Sequence, residues 1–170
     1  MRLWLTVPFL AAQITLSRGA AAQSPTPPDA SPVALMREFL TRDARGDRLR
    51  TDPWMAQHTL WGHVEPGWDG YQVIIGYKLR TIHADSSTAR IAITYDVTGT
   101  VDVDTSAHYI RKPSTQTVTF TLALTDVGWR IVAPTIEPHV LGTAISPRTS
   151  FSAADWALLR EDMRRVKQGS

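Results

Sequence analysis

The sequence predicts an α+β fold, with N-terminal helices packed on a curved, mainly antiparallel sheet and an additional C-terminal helix. Apolar residues recur at helical spacing just after Ser31 and again after Ser152, and from Tyr71 to Ala133 the apolar period drops to two. A chain of 170 residues, 43% of them hydrophobic, is long enough to bury one sizeable core.

The elements follow in order. Met1 and Arg2 begin a short positive start, Leu3 to Leu16 is largely apolar, and Ala20-Ala21-Ala22 offers a small-x-small cleavage pattern before Gln23. Residues 1–22 therefore read as a secretory signal peptide. The apolar run, interrupted by Pro8, is shorter than the roughly 20 residues of a spanning helix, so no stable membrane insertion is expected after cleavage. Residues 23–30, with Pro25, Pro27 and Pro28, read as a flexible leader, and residues 31–170 as a single domain. The chain has no cysteine, so neither a disulfide nor a cysteine-linked lipid is available to it.

Ser31 can cap a helix whose first residue is Pro32, and Val33, Met36, Phe39 and Leu40 share one face; a helix over about 32–46 ends at Gly46. Asp52-Pro53 repeats the cap-then-proline pattern and predicts a short helix from Trp54 to Leu60, after which Gly62, Pro66, Gly67 and Gly70 enforce loop. Tyr71, Val73, Ile75, Tyr77 and Leu79 then alternate on one face of a strand, and Ala89, Ile91, Ile93, Tyr95 and Val97 on one face of the next. A loop is expected around Ser106 to Thr115. Val118, Phe120, Leu122 and Leu124 alternate with outward threonines, and Asp126 to Gly128 turns the chain into a last strand that Pro134 ends. Ser152 and Asp155 form a capping box, Phe151 is placed to staple onto Trp156, and Trp156, Leu159, Met163 and Val166 make the apolar stripe of the final helix.

A long N-terminal helix, a short second helix and a strand meander closing on Asp126 to Val132 (DVGWRIV) resemble the nuclear-transport-factor-2-like, or SnoaL-like, superfamily over about Ser31 to Pro134. The resemblance implies a cone fold with a pocket between the curved sheet and the N-terminal helices. Different members use that pocket as isomerases, dehydratases and polyketide cyclases, or only for binding and assembly, so the fold does not choose among them.

The residues offer several candidates. Trp54, His58, Trp61, His63, Trp68 and Tyr71, with Glu65 and Asp69 nearby, combine stacking surface with titratable groups and are the expected ligand-binding set for a small apolar or aromatic ligand. No two-histidine zinc motif is present, so no metal and no cofactor is expected. Tyr77 and Tyr95 face inward on neighbouring strands. His139, directly after the last strand, suits a general base with Glu137 as its orienter. His63, His139, Tyr77 and Tyr95 are thus the candidate catalytic groups. Nucleophile-elbow, phosphate-loop and dinucleotide patterns are missing. Loss of Arg2 and Arg18 with the signal removes the formal charge of +2, and the remaining cations are scattered, so no nucleic-acid role is expected.

These observations favour an exported, periplasmic or secreted binding or assembly domain without catalytic activity. The alternatives are a small cone-fold lyase or isomerase using a histidine base, and a homodimeric envelope protein paired through its sheet.

Overall fold

The structure, a computed structural model, describes residues 31–50, 52–62, 67–104 and 106–169. The signal segment, the leader, His63 and Glu65 lie outside the described residues. Helix α1 spans Pro32–Ala44, with Ser31 Oγ accepting from the Ala34 N–H at 3.1 Å. Gly46 follows at φ 80, a left-handed conformation that suits glycine, and leads into a 3-10 turn, Asp47–Leu49. Helix α2, Pro53–His58, is shorter than expected and is capped by Asp52. Its end is tied to the sheet where the Leu60 N–H donates to the Ile131 carbonyl.

Five strands follow: β1 Gly70–Ala84, β2 Thr88–Val103, β3 Ala107–Thr125, β4 Gly128–Ala133 and β5 His139–Leu141. They lie in the order β4-β3-β2-β1-β5, antiparallel except that β5 runs parallel to β1. Helix α3, Ala153–Gly169, completes the α+β fold. Its capping box is reciprocal: Ser152 Oγ accepts from the Asp155 N–H, and the Asp155 carboxylate accepts from the Ser152 N–H and hydroxyl. The Phe151 and Trp156 rings meet edge to face at 5.0 Å.

Two expectations are corrected. Residues 107–115 are strand instead of loop: β3 pairs with β2 from Ala107 onward, and Pro113 sits where the β2–β3 register shifts, so its missing N–H costs no ladder bond. Nor do the apolar residues of β1 share one face. Register shifts between Val73 and Gly76 carry an extra residue, so Tyr71 and Val73 point to one side of the sheet while Ile74, Tyr77 and Leu79 point to the other. A matching shift at Val97/Gly99 sends Val101 to the side of Tyr71 while Ile91, Ile93 and Tyr95 stay opposite.

The paired bulges give the sheet two buried faces. One packs Met36, Phe39 and Leu40 of α1 and Met55 of α2 against Ile91, Ile93, Phe120 and Ile131. The other packs Leu159 of α3 against Tyr71, Val73, Val101, Tyr109 and Val140. On the uncovered part of the sheet the threonine row is present, with Thr94 and Thr117 hydroxyls 3.1 Å apart across β2 and β3.

Candidate functional site

The crossover from β4 to β5 carries His139 across the sheet and seats it beneath α1. Pairing fixes it there: β5 adds to the edge of β1, with Gln72 opposite His139, and the Gln72 N–H donates to the Pro138 carbonyl. The His139 backbone N–H donates to Asp43 Oδ2 at 3.2 Å. The imidazole is 2% exposed and lies on the Tyr95 ring, with centroids 4.0 Å apart. Tyr77, directly opposite Tyr95 in the ladder, meets that ring edge to face at 6.5 Å. Three of the four candidate catalytic groups are thus brought together; His63 lies outside the described residues.

The expected orienter is a different atom. Nδ1 of His139 stands 2.9 Å from the Glu137 backbone carbonyl, while the Glu137 carboxylate accepts from Gln72 Nε2 at 2.7 Å. A carbonyl oxygen only accepts, so Nδ1 bears the proton and Nε2 is the acceptor nitrogen of a neutral ring. Burial pushes the imidazole down to about 4, helped by the nearby Arg48 cation and opposed by the Glu137 hydrogen bond. Nε2 faces Gln116 Oε1 at 3.5 Å. Two acceptors cannot bond each other; a donor placed between them, or a half-turn of the amide, satisfies both.

Above this pair opens a cleft of about 320 Å3 lined by Trp68, Gln116, Val118, Ile136 and His139. Below it the Tyr95 hydroxyl is buried and has no hydrogen-bond partner among the described residues, and burial raises its pKa well above the ordinary phenol value. Deeper still, Arg48 Nη1 pairs with Asp43 Oδ1 at 3.2 Å, both side chains essentially inaccessible, and Arg48 Nη2 donates to the Ile136 carbonyl at 2.6 Å. Sequence reasoning missed this ion pair. Its signal was available: Asp43 lies four residues after Phe39 and seven after Met36, so a charge sits in the apolar stripe of α1.

The described members of the expected aromatic ligand set are spread over four places. Trp54 and His58 stack at 4.2 Å on α2, with the Arg42 guanidinium 5.0 Å from the Trp54 ring. Trp61 is buried in the α1 core against Phe39, and Tyr71 lies on the α3 side of the sheet. Among the described members of the set, only Trp68 borders the His139 cleft. Among the described residues no group of three His, Asp or Glu is arranged to hold a metal ion.

Residues 25–143 match the family described as lipoprotein LpqB, N-terminal domain. No curated protein and no solved structure matches the chain. Among the described residues no helix is long and apolar enough to cross a membrane.

Proposed function

From the premise that the chain belongs to the family of the lipoprotein LpqB N-terminal domain, we propose that it is an exported envelope domain that binds a small molecule in the His139 cleft without transforming it. The absence of cysteine from these 170 residues leaves no sulfur to carry a lipid, so the proposal places the domain in the envelope after removal of residues 1–22, held there by what it binds. The cone fold of the nuclear-transport-factor-2-like superfamily is part of the same reading, supported by the sheet that packs α1 and α2 on one face.

The observation that carries the binding reading is the open cleft itself, with the acceptor nitrogen Nε2 of His139 at its floor and the Gln116 amide 3.5 Å away. It calls for a ligand with an N–H or O–H donor and a flat or apolar body to lie against Trp68 and Val118. The stacking of His139 on Tyr95, which Tyr77 meets edge to face, favours a second reading, a lyase or isomerase with His139 as base. Against it, an imidazole held near pKa 4 is a weak proton acceptor at neutral pH, far from the match that general base catalysis rewards.

N-terminal sequencing of the protein recovered from the envelope fraction is expected to begin at Gln23, and recovery of the intact chain in the cytoplasm would refute export. For the cleft, a fragment library is followed through the 15N signals of the His139 ring. Donor-bearing fragments are expected to shift Nε2 and to lose affinity in Gln116→Ala and Trp68→Ala. Fragments that bind without moving Nε2 would refute the site, and turnover of one would shift the reading to the enzyme.

A further inference from the structure

A second concave surface lies on the opposite side of the sheet. There α3 covers Tyr71, Val73, Val101 and Tyr109, and a groove of about 630 Å3 runs between the helix and the segment 142–145. Its wall is apolar, made of Trp156, Leu159, Met163 and Ile145. Gly142 leaves room for the tip of Met163: a Cβ there would collide with Met163 Sδ and Cε, so any other residue would push the end of the methionine aside.

The charges of α3 are sorted around this groove. The acids face β3 or the helix start: Asp162 accepts from the Tyr109 hydroxyl and Arg111, Glu161 pairs with Arg111 and Arg165, and Asp155 is held by Ser152 and the Tyr109 N–H. Arg160 and Arg164, one helical turn apart, border the groove. Both are exposed, and neither enters an ion pair among the described residues. The Arg160 guanidinium lies 5.6 Å from the Trp156 ring centroid, which holds a cation directly above the apolar wall. An apolar trough with two guanidinium groups on one rim that have no carboxylate partner among the described residues is complementary to a molecule that is apolar along its length and anionic at one end.

We propose that this groove binds a free, single-chain amphipathic anion: an acyl or prenyl chain ending in a carboxylate or phosphate. The chain lies along Trp156, Leu159 and Met163, and the head group sits between Arg160 and Arg164, whose planar forks match either oxyanion. The volume falls within the roughly 300–1,000 Å3 of small-molecule sites. The groove and the His139 cleft lie on opposite faces of the sheet, so this proposal stands whether or not that cleft takes a ligand.

Calorimetric titration of the full chain with decanoate below its micelle concentration tests it, with decanol as the uncharged equivalent, butanoate as the short one and phosphatidylglycerol vesicles as the membrane source. Decanoate is expected to bind at one site per chain, decanol about tenfold more weakly, and butanoate and the vesicles without detectable heat. The double substitution Arg160→Gln/Arg164→Gln is expected to bring decanoate down to the affinity of decanol and to leave decanol unchanged. Ala157→Trp, on the exposed edge, is expected to fill the groove and abolish both. Because these three positions are exposed, thermal melts serve as the control for folding. Equal affinities for decanoate and decanol on the unaltered chain would overturn the proposal, and so would unchanged decanoate binding in the arginine variant or binding to vesicles alone.

Discussion

The two buried faces of the sheet are built on different physics. The α1 face carries buried polar chemistry beside its apolar core of Met36, Phe39, Ile93 and Phe120: the Asp43–Arg48 pair, the Tyr95 hydroxyl and the His139 ring that floors the cleft. The α3 face is a smaller apolar cluster whose helix is held by the buried Tyr109–Asp162 hydrogen bond and by ion pairs of the partly exposed Arg111 with Asp162 and Glu161. Buried polar groups must be satisfied or they destabilise, whereas exposed ion pairs contribute little and can part at small cost. The difference assigns rigidity to the His139 side and leaves the α3 side as the region more easily opened.

The largest test of this contrast is Arg48→Met. It removes the partner of a carboxylate whose side chain is 1% exposed, and it also strips the Ile136 carbonyl of its donor. Urea unfolding is expected to show a loss of about 3–5 kcal/mol. Adding Asp43→Leu should recover part of it, because the uncompensated charge leaves with the carboxylate, although the His139 N–H then loses its acceptor.

Next comes acid. His139 is neutral in the folded protein, with its pKa lowered to about 4, while the unfolded chain has the ordinary value of 6.5. Between these values the unfolded state binds the extra proton, so the contribution of this group is fully present above pH 6.5 and falls away as pH drops toward 4. The loss is on the order of 3 kcal/mol. Comparing unfolding free energies of the parent and His139→Gln across this range isolates it: the variant's curve should be flatter there, and parallel curves would show that the imidazole is solvated.

Local signals in the sequence specify the helices. Ser31 and Pro32 start α1, and Ser152 with Asp155 starts α3, because a cap is satisfied within three residues of itself. The inward face of β2 is equally legible. What escaped is set by pairing at a distance. A bulge shows only in the register against the partner strand, so the unbroken alternation from Tyr71 to Leu79 conceals a change of face. The polar start of β3 reads as loop and becomes strand because β2 supplies its hydrogen bonds. β5 spans only His139–Leu141, too short for any period, and exists through its pairing with β1. The position of His139 after the last long strand marked it as a candidate, but its partner is a backbone carbonyl, which no side-chain pattern announces.

Leu159→Ala probes the more easily opened face. The side chain is 2% exposed within the α3 cluster, and truncation there is expected to cost about 2–3 kcal/mol. If α3 opens as a unit before the sheet does, hydrogen exchange should show the change first. Amides of α3 should lose protection while those of β2 keep theirs. Equal loss in both elements would mean that the two faces unfold together and that the contrast between them is only geometric.

The smallest expected effect is also the one with reversed sign. The Tyr95 hydroxyl is buried without a partner among the described residues, beneath the ring of His139 and beside the Asp43–Arg48 pair. An unsatisfied buried hydroxyl destabilises the folded state, so Tyr95→Phe, which keeps the ring and its stacking, is expected to raise stability by about 1 kcal/mol in urea unfolding. A buried hydroxyl that opposes stability is a candidate for a role in a site where something other than stability is served. Tyr95→Phe should therefore stabilise the protein and, in the fragment titration of the cleft, weaken binding. A stabilised variant with undiminished binding would confine the ligand contacts to His139 and Gln116. A destabilised one would reveal that the hydroxyl is satisfied in solution, and would remove the strongest sign that the α1 face trades stability for a function.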